Sequence, residues 1–343
     1  MKDGKKVVWF NNWFSAIVVT INDLKKEFDD VTFIGSNGKQ DCTYKNCVDE
    51  FYIEPVLADS DTYIMWALDF CKHHGVDVFF PKAKMKTVAK NIKKFEKIGV
   101  KVICDDYDTI SLFDSKAEVY RYLENKGYGK IPVYYVANSF ADFRKYYKQI
   151  TSDGDTVIIK YDKDEGAASF RVVSDNFLCV ESMSETSMNI LSYDNACKIL
   201  QDAEDKGMFK PLMMMPKLSS PEVSVDCYMT AAGEFVAIPR YKMGNRIKQI
   251  VMTQQLIGDC AKLQEIFGFK SVYNVQYRWD KFGNPELLEI NTRMSGGIHL
   301  TSMCGYSIPK QVLADALGRN LSQTKEDIKE CKVTQFETPI ILE

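Results

Sequence analysis

Histidine is scarce in this 343-residue chain: there are three, His73, His74 and His299. The ten cysteines stand singly, and no Cys-x-x-Cys pair occurs. A zinc site therefore has few ligands to draw on, and a disulfide framework has no spacing to rest on. The cysteines read as reduced, small apolar residues of a cytoplasmic protein. Net charge is nearly absent too, at −3, so no global positive field holds nucleic acid. No apolar run approaches the roughly 20 residues that span a bilayer. The N-terminus lacks the long apolar stretch of a signal peptide. Nor does Gly-x-Gly-x-x-Gly follow the first apolar run: Val7–Phe10 leads into Asn11-Asn12-Trp13, which argues against a dinucleotide fingerprint.

What remains is globular, with 45% hydrophobic and 27% charged residues. Residues 1–108 alternate strand-like and helical patterns. Strands are expected at Val7–Phe10, Val31–Ile34, Phe51–Ile53, Val76–Phe80 and Val100–Ile103, and helices at Ile17–Phe28, Tyr63–His74 and Met85–Ile98. That order predicts a parallel, doubly wound α/β sheet. The lysine-rich stretch Lys82–Lys101 surrounds Met85, Val88, Ile92 and Phe95 at helical spacing, and reads as a solvated helix face. Beyond residue 108 the pattern changes to α+β, with strands paired across turns such as Ala232-Gly233-Glu234 and the Asp280–Pro285 turn. The last 23 residues, 321–343, fit no element.

The most informative segment is Glu286-Leu287-Leu288-Glu289-Ile290-Asn291-Thr292-Arg293-Met294-Ser295-Gly296-Gly297. Strand alternation puts Glu289, Asn291 and Arg293 on one face, with Leu288 and Ile290 directed into the core. A carboxylate and an amide oxygen two residues apart suit Mg²⁺, a hard cation that prefers oxygen ligands. Arg293 adds a bidentate donor for a phosphoryl oxygen. The preceding strand offers Gln276 as a neutral oxygen.

This hairpin resembles the metal-binding hairpin of the ATP-grasp superfamily, especially the branch of the carbamoyl phosphate synthetase large subunit and biotin carboxylase. The resemblance covers about residues 5 to 320. It implies a Rossmann-like pre-ATP-grasp domain (1–108), an ATP-grasp small lobe (109–212), a large lobe (213–320) and a C-terminal extension (321–343). It implies Gln276, Glu289 and Asn291 as metal ligands. Lys116 and Lys160 become ATP-binding residues, with Gly166 and Ala167 in the loop over the phosphates. Met215 and Lys217 fall at the adenine-reading hinge, and Glu222 at the ribose hydroxyls. Arg293, Arg240 and Lys242 would hold the γ-phosphate or the acyl substrate. The implied cofactors are ATP and Mg²⁺, two ions, with Mn²⁺ as a substitute.

The implied activity is an ADP-forming ligase that activates a carboxylate as an acylphosphate for an amine or similar nucleophile. A phosphorylating enzyme of the carbamoyl phosphate synthetase type and a MgATP-binding regulatory partner are the other readings. Small-molecule carboxylate and amine substrates are the expected partners, without nucleic acid or membrane, and a homodimer is compatible with the sequence.

Overall fold

A computed structural model describes residues 4–57, 59–163, 168–175, 189–244, 246–336 and 338–341. Internal contacts group the chain into two units. One holds the chain up to Ser111, Pro221–Gln276 and the residues from Ile290 onward; the other holds Leu112–Ser220 and Tyr277–Glu289.

The first unit opens on strands β1 (Lys6–Asn11), β2 (Val31–Asn37), β3 (Glu50–Ile53), β4 (Val78–Pro81) and β5 (Lys101–Val102). All pair in parallel, in the order β3-β2-β1-β4-β5. Helices α1 (Ile17–Glu27), α2 (Ser60–His74), α3 (Met85–Lys90), α4 (Ile92–Glu96) and α5 (Tyr107–Leu112) connect or follow them. The central strand β1 is buried over its last five residues, as a parallel sheet covered on both faces requires. Its alternation feeds two cores. Val8 and Phe10 join Phe33 and Phe80 on one side, while Val7 and Trp9 join Ile34 and Phe79 on the other. Trp9 stacks on Phe79 at 3.9 Å and Phe10 on Phe80 at 4.7 Å, so neighbouring strands are registered by aromatic pairs. Helix α2 starts where Asp59 accepts from the Thr62 amide and stops at Gly75 in the left-handed region. The expected helix over Met85–Ile98 is broken in two at Asn91. The Asn91 side-chain amide donates to the Thr87 carbonyl, offering the backbone a local alternative to the helical ladder.

The second unit carries α6 (Lys116–Asn125), β6 (Tyr135–Ala137), α7 (Phe140–Ser152), β7 (Val157–Tyr161), β8 (Arg171–Val173), β9 (Ile190–Leu191), α8 (Tyr193–Asp205) and β10 (Leu212–Pro216). Its sheet runs β6-β10-β7-β8-β9. Val157, Ile159, Leu212 and Met214 form a core with residues of α7 and α8. Ile158, Val172, Met215 and Leu218 form a separate apolar cluster.

The chain then returns to the first unit with β11 (Ser219–Met229), β12 (Phe235–Lys242), β13 (Lys248–Ile250), α9 (Gln254–Phe267), β14 (Tyr273–Trp279), β15 (Pro285–Asn291), α10 (Ile298–Thr301), α11 (Ile308–Leu317) and β16 (Cys331–Val333). The strands are ordered β15-β14-β11-β12-β13-β16, and the end of β14, the turn after it and most of β15 (Tyr277–Glu289) belong to the second unit. The C-terminal segment, which no sequence pattern placed, supplies β16: Lys248, Gln249 and Ile250 pair antiparallel with Val333, Lys332 and Cys331. Nine cysteines among the described residues are free thiols, six of them buried. No described helix is long and apolar enough to cross a membrane.

The turn after α10 brings two backbones together. Gly305 has φ +103°, and a Cβ there would lie 2.3 Å from the Asp327 carbonyl oxygen. Gly305→Ala is expected to lower stability by about 1–3 kcal/mol from backbone strain alone, and by more because residue 327 must move. Gly318→Ala, also left-handed but with open space around it, is expected to cost about 1 kcal/mol. Urea midpoints of the two variants measure the difference.

Candidate functional site

In the second unit the sheet places a cation where few are tolerated. Lys160 lies on β7, out of phase with Val157 and Ile159, which pack under the helices. Its partner on β10 is Met213. Lys160 is 7% exposed. Burial, joined by the nearby Lys116 charge, brings its ammonium down to about 8; Glu289 and Asp162 oppose that shift. Lys116 opens α6, whose N-terminus is fixed by two side chains. Ser115 accepts from the Glu118 amide, and Asp162 accepts from the Ala117 amide at 2.8 Å and from the Ser115 hydroxyl at 2.5 Å. Asp162 thus links the end of β7 to the start of α6 and keeps Lys116 near Lys160. The Tyr120 hydroxyl on α6 donates to the carbonyls of Leu287 and Leu288, tying in β15 and with it Glu289. Lys116, Lys160 and Glu289, far apart in sequence, are therefore brought together.

The same hydroxyl marks a correction. Alternation put Leu288 and Ile290 in the core, whereas Leu287 and Ile290 are the buried pair and Leu288 is half-buried. Successive carbonyls of a regular strand point opposite ways; here two consecutive ones accept from one donor. The strand twists at this point, and the phase of burial slips by one residue. Glu289 and Asn291 lie beyond the slip, both half-buried. Arg293 falls past the end of the strand rather than on it.

At the hinge, Met213, Met214 and Met215 are all fully buried. Met215 belongs to the cluster with Ile158, Val172 and Leu218, an apolar surface next to Lys160 on β7. Lys217 is exposed, and its amide donates to the Thr156 carbonyl. Gly166 and Ala167 lie outside the described residues.

In the first unit, β11 and β12 present Glu222, Ser224 and Asp226 beside Lys242 and Arg240, with Ser224 opposite Arg240 and Asp226 opposite Ile238. Glu222 is ion-paired with Lys242. Arg240 is buried. Its Nη2 stands 3.8 Å from Asp226 Oδ2 and donates to the hydroxyls of Ser224 and Ser295, and its Nε donates to Thr301. Asp226 in turn accepts from Asn274 at 2.8 Å and from Thr301 at 2.5 Å. Arg240 therefore sits in a closed network with its charge balanced, while Lys242 at the strand end is half-exposed. Gly297 lies directly against this network: a Cβ would fall 2.5 Å from the Arg240 guanidinium carbon. Gln276 and Asn291 are half-buried. Arg293 packs on the Phe14 ring at 5.9 Å and donates to the Met294 carbonyl.

One cation was missed in the sequence. Lys248 on β13 stands directly opposite Lys242. Burial, then Lys242 and Arg240, push its ammonium below the usual lysine range, and Glu222 pulls the other way. Like charges directly opposed on neighbouring strands are destabilising, which marks this face as one that favours an anion. The signal was weak because β13 is only three residues long. Among the described residues no cluster of three or more His, Cys, Asp or Glu side chains has a metal-binding arrangement. The three assigned metal ligands include two amides, which such a cluster would not contain.

Comparison with known proteins now bears on the fold. Residues 208–339 match the family model described as ATP-grasp in the biosynthetic pathway with Ter operon. No curated protein matches the sequence. Among solved structures, biotin carboxylase of Campylobacter jejuni, as a β,γ-ATP complex, is 18% identical. That match covers 94% of this chain and 73% of the other, with a TM-score of 0.67. N5-carboxyaminoimidazole synthetase of Staphylococcus aureus is 14% identical over 94% and 79%, with a TM-score of 0.66. The biotin carboxylase domain of the Hydrogenobacter thermophilus 2-oxoglutarate carboxylase, a dimer with MgADP, ADP and bicarbonate, is 18% identical over 94% and 72%, with a TM-score of 0.64. The chain has the ATP-grasp fold with an N-terminal parallel-sheet domain, as the hairpin resemblance implied.

The two buried cations generate separable expectations. Asp226→Asn strands Arg240 without its counter-charge and is expected to cost about 3–5 kcal/mol in urea unfolding. Asp226→Asn combined with Arg240→Met is expected to cost less than Asp226→Asn alone. For Lys160 the sign follows from a folded value near 8 against 10.5 for the free side chain. Between those values the unfolded chain binds more protons than the folded one. The ligand-free protein should therefore gain stability from this group as pH rises from about 8 toward 10.5. Lys160→Met should flatten that part of the melting-temperature profile.

Proposed function

We propose that this chain is an ADP-forming ligase that uses MgATP to activate a small-molecule carboxylate as an acylphosphate, which an amine or similar nucleophile then attacks. The observation that carries this reading is the convergence of Lys116, Lys160 and Glu289 within the second unit. A lysine made less basic by burial, and further by a second lysine, is a costly arrangement that a polyanion relieves. The nucleotide phosphates are that polyanion.

The remaining roles follow from chemistry and position. Met215 and Lys217 supply a hinge backbone that can read the purine's edge, with the Met215 side chain anchored in the apolar cluster beneath it. Glu222 accepts from the ribose hydroxyls. Glu289, Asn291 and Gln276 supply oxygen donors only, with no thiol or imidazole, and this set fits Mg²⁺ or Mn²⁺. Mg²⁺ held by these oxygens would neutralise phosphate charge.

Lys242, Lys248 and Arg293 hold the transferring phosphoryl group and the carboxylate in line, and their charges are fixed before the reaction begins. Arg240 stands behind them and seats the glycine loop. The substrate carboxylate oxygen attacks the γ-phosphorus, ADP leaves, and the amine displaces phosphate from the acyl carbon. No side-chain nucleophile is required. Two structural relatives are complexes with MgADP and with β,γ-ATP, which agrees with the proposed nucleotide.

Glu289→Gln tests the assignment. Glu289 is the one formal negative charge among the proposed metal ligands. Its loss is expected to lower MgATP turnover by about 10²-fold or more. The nucleotide-free melting temperature should stay near wild type, and the Mg²⁺-dependent part of the ATP-induced shift should disappear. Full turnover in the variant would make Glu289 a structural residue. In the wild type, tight MgATP binding with no ADP formed from any carboxylate–amine pair would point to a nucleotide-binding regulator instead.

A further inference from the structure

We infer that the outer face of α7, together with the start of α8, is a docking groove for an acidic, extended segment of a partner protein. The inference stands apart from the ligase reading. Phe143 and Ile150 of α7 share one core with Val157 and Ile159, and Lys160 is out of phase with those two strand residues. The groove is therefore on the side of the second unit's sheet away from Lys160.

A groove of about 520 Å³ runs along α7. The helix turns Phe143 and Ile150 inward, and both are buried. On the opposite face Ala141, Arg144, Lys145, Lys148 and Thr151 recur at helical spacing and line the groove. Tyr147 and, from the first turn of α8, Tyr193 form its side. The two rings are 4.3 Å apart, and Tyr193 also stacks on Phe143 at 6.2 Å. The tyrosine side is thus anchored to the core of the unit, and Arg144 lies beside the Tyr193 hydroxyl.

The charge of this face is not neutralised locally. Arg144, Lys145 and Lys148 are exposed, and among the described residues none of them is in an ion pair. The neighbouring acids serve backbone amides instead: Asp142 accepts from Asn138 at 3.0 Å, and Asp175 accepts from Tyr193 at 2.9 Å. Arg144 and Lys148 stand one turn apart, roughly 6 Å along the helix axis. Alternate side chains of an extended chain are roughly 6.6 Å apart and point the same way. Acids at alternate positions of an extended segment therefore match the two cations. From Ala141 to Thr151 the groove is roughly 15 Å long, room for about four or five extended residues. Single-stranded nucleic acid fits less well, because it needs a longer basic track and ring faces free for its bases. Here the rings stack on one another, and a net charge of −3 supplies no wider positive field.

The test measures binding to the full chain by fluorescence anisotropy with three labelled probes: the peptide Glu-Leu-Glu-Leu-Glu, its Gln-Leu-Gln-Leu-Gln counterpart and a pentathymidylate. The acidic peptide is expected to bind about ten times tighter than either of the others, or better. The double variant Arg144→Gln, Lys148→Gln should lose that preference while melting near wild type, since both side chains are exposed. Lys126→Gln with Lys210→Gln removes the same charge from exposed positions of the same unit outside the groove, and should keep the preference. Equal affinity for the two peptides, no binding of the acidic one, or a preference that survives in the Arg144, Lys148 variant overturns the inference. So does loss of the preference in the Lys126, Lys210 variant, which would reduce it to bulk charge. Tighter binding of the pentathymidylate would make this face a nucleic-acid surface instead. None of these outcomes depends on MgATP turnover, so a failure here leaves the ligase reading standing.

Discussion

The ion pair between Arg240 and Asp226 holds together the strands β11, β12 and β14 of the first unit and the glycine loop that follows β15. Burying two charges is expensive, and the attraction between them repays it only where the remaining donors and acceptors are also met. They are met by Ser224 beside Asp226 on β11, by Asn274 from β14, and by Ser295 and Thr301 from the segment that follows β15. The pair consequently fixes three strands and the glycine loop at once. It also dictates residue 297: with the guanidinium in place there is no volume for a side chain, and only glycine passes. Arg293, four residues earlier, inherits its position from the same anchor.

Lys160 is the opposite case, and the contrast separates structural from ligand-seeking charge. Both cations are buried to a similar degree. Arg240 faces a carboxylate that lies wholly inside with it. Lys160 faces another lysine, and the two acids within reach only partly offset the combined effect of burial and Lys116. Asp162 already serves the amide of Ala117 and the hydroxyl of Ser115. A network closed upon itself specifies a fold; one left with surplus charge stores affinity for a counter-ion.

Much of this was legible in the sequence because it is local. Alternation of strand with helix identified the parallel sheet. Residue spacing along the hairpin suggested oxygen ligands without any structure. What was not legible depends on distant partners. β16 is three residues long and exists only because β13 offers it an edge. Lys248 gains its meaning from Lys242 across the ladder, not from its neighbours in sequence. The slip at Leu287 and Leu288 comes from a tyrosine hydroxyl 167 residues away, which no alternation rule contains. The break at Asn91 was local, but the apolar spacing of Met85–Ile98 outweighed the amide that interrupts it.

The row Glu222–Lys242–Lys248 adds a final step. Two lysines opposed on adjacent strands repel, and Glu222 is ion-paired with Lys242. Without an anion, Glu222 Oε1 is held by Lys242. On the proposed reading, a phosphoryl group arriving between the lysines takes over that role. Glu222 is then freed to accept hydroxyl hydrogen bonds from the same nucleotide. Binding at the phosphate end would therefore prepare the ribose end, through an exchange of ion-pair partners rather than a change of fold. Such coupling needs a carboxylate close enough to pair with the lysine and one residue out of reach of Arg240. The register of β11 and β12 supplies it, since Ser224 rather than Glu222 stands opposite the arginine.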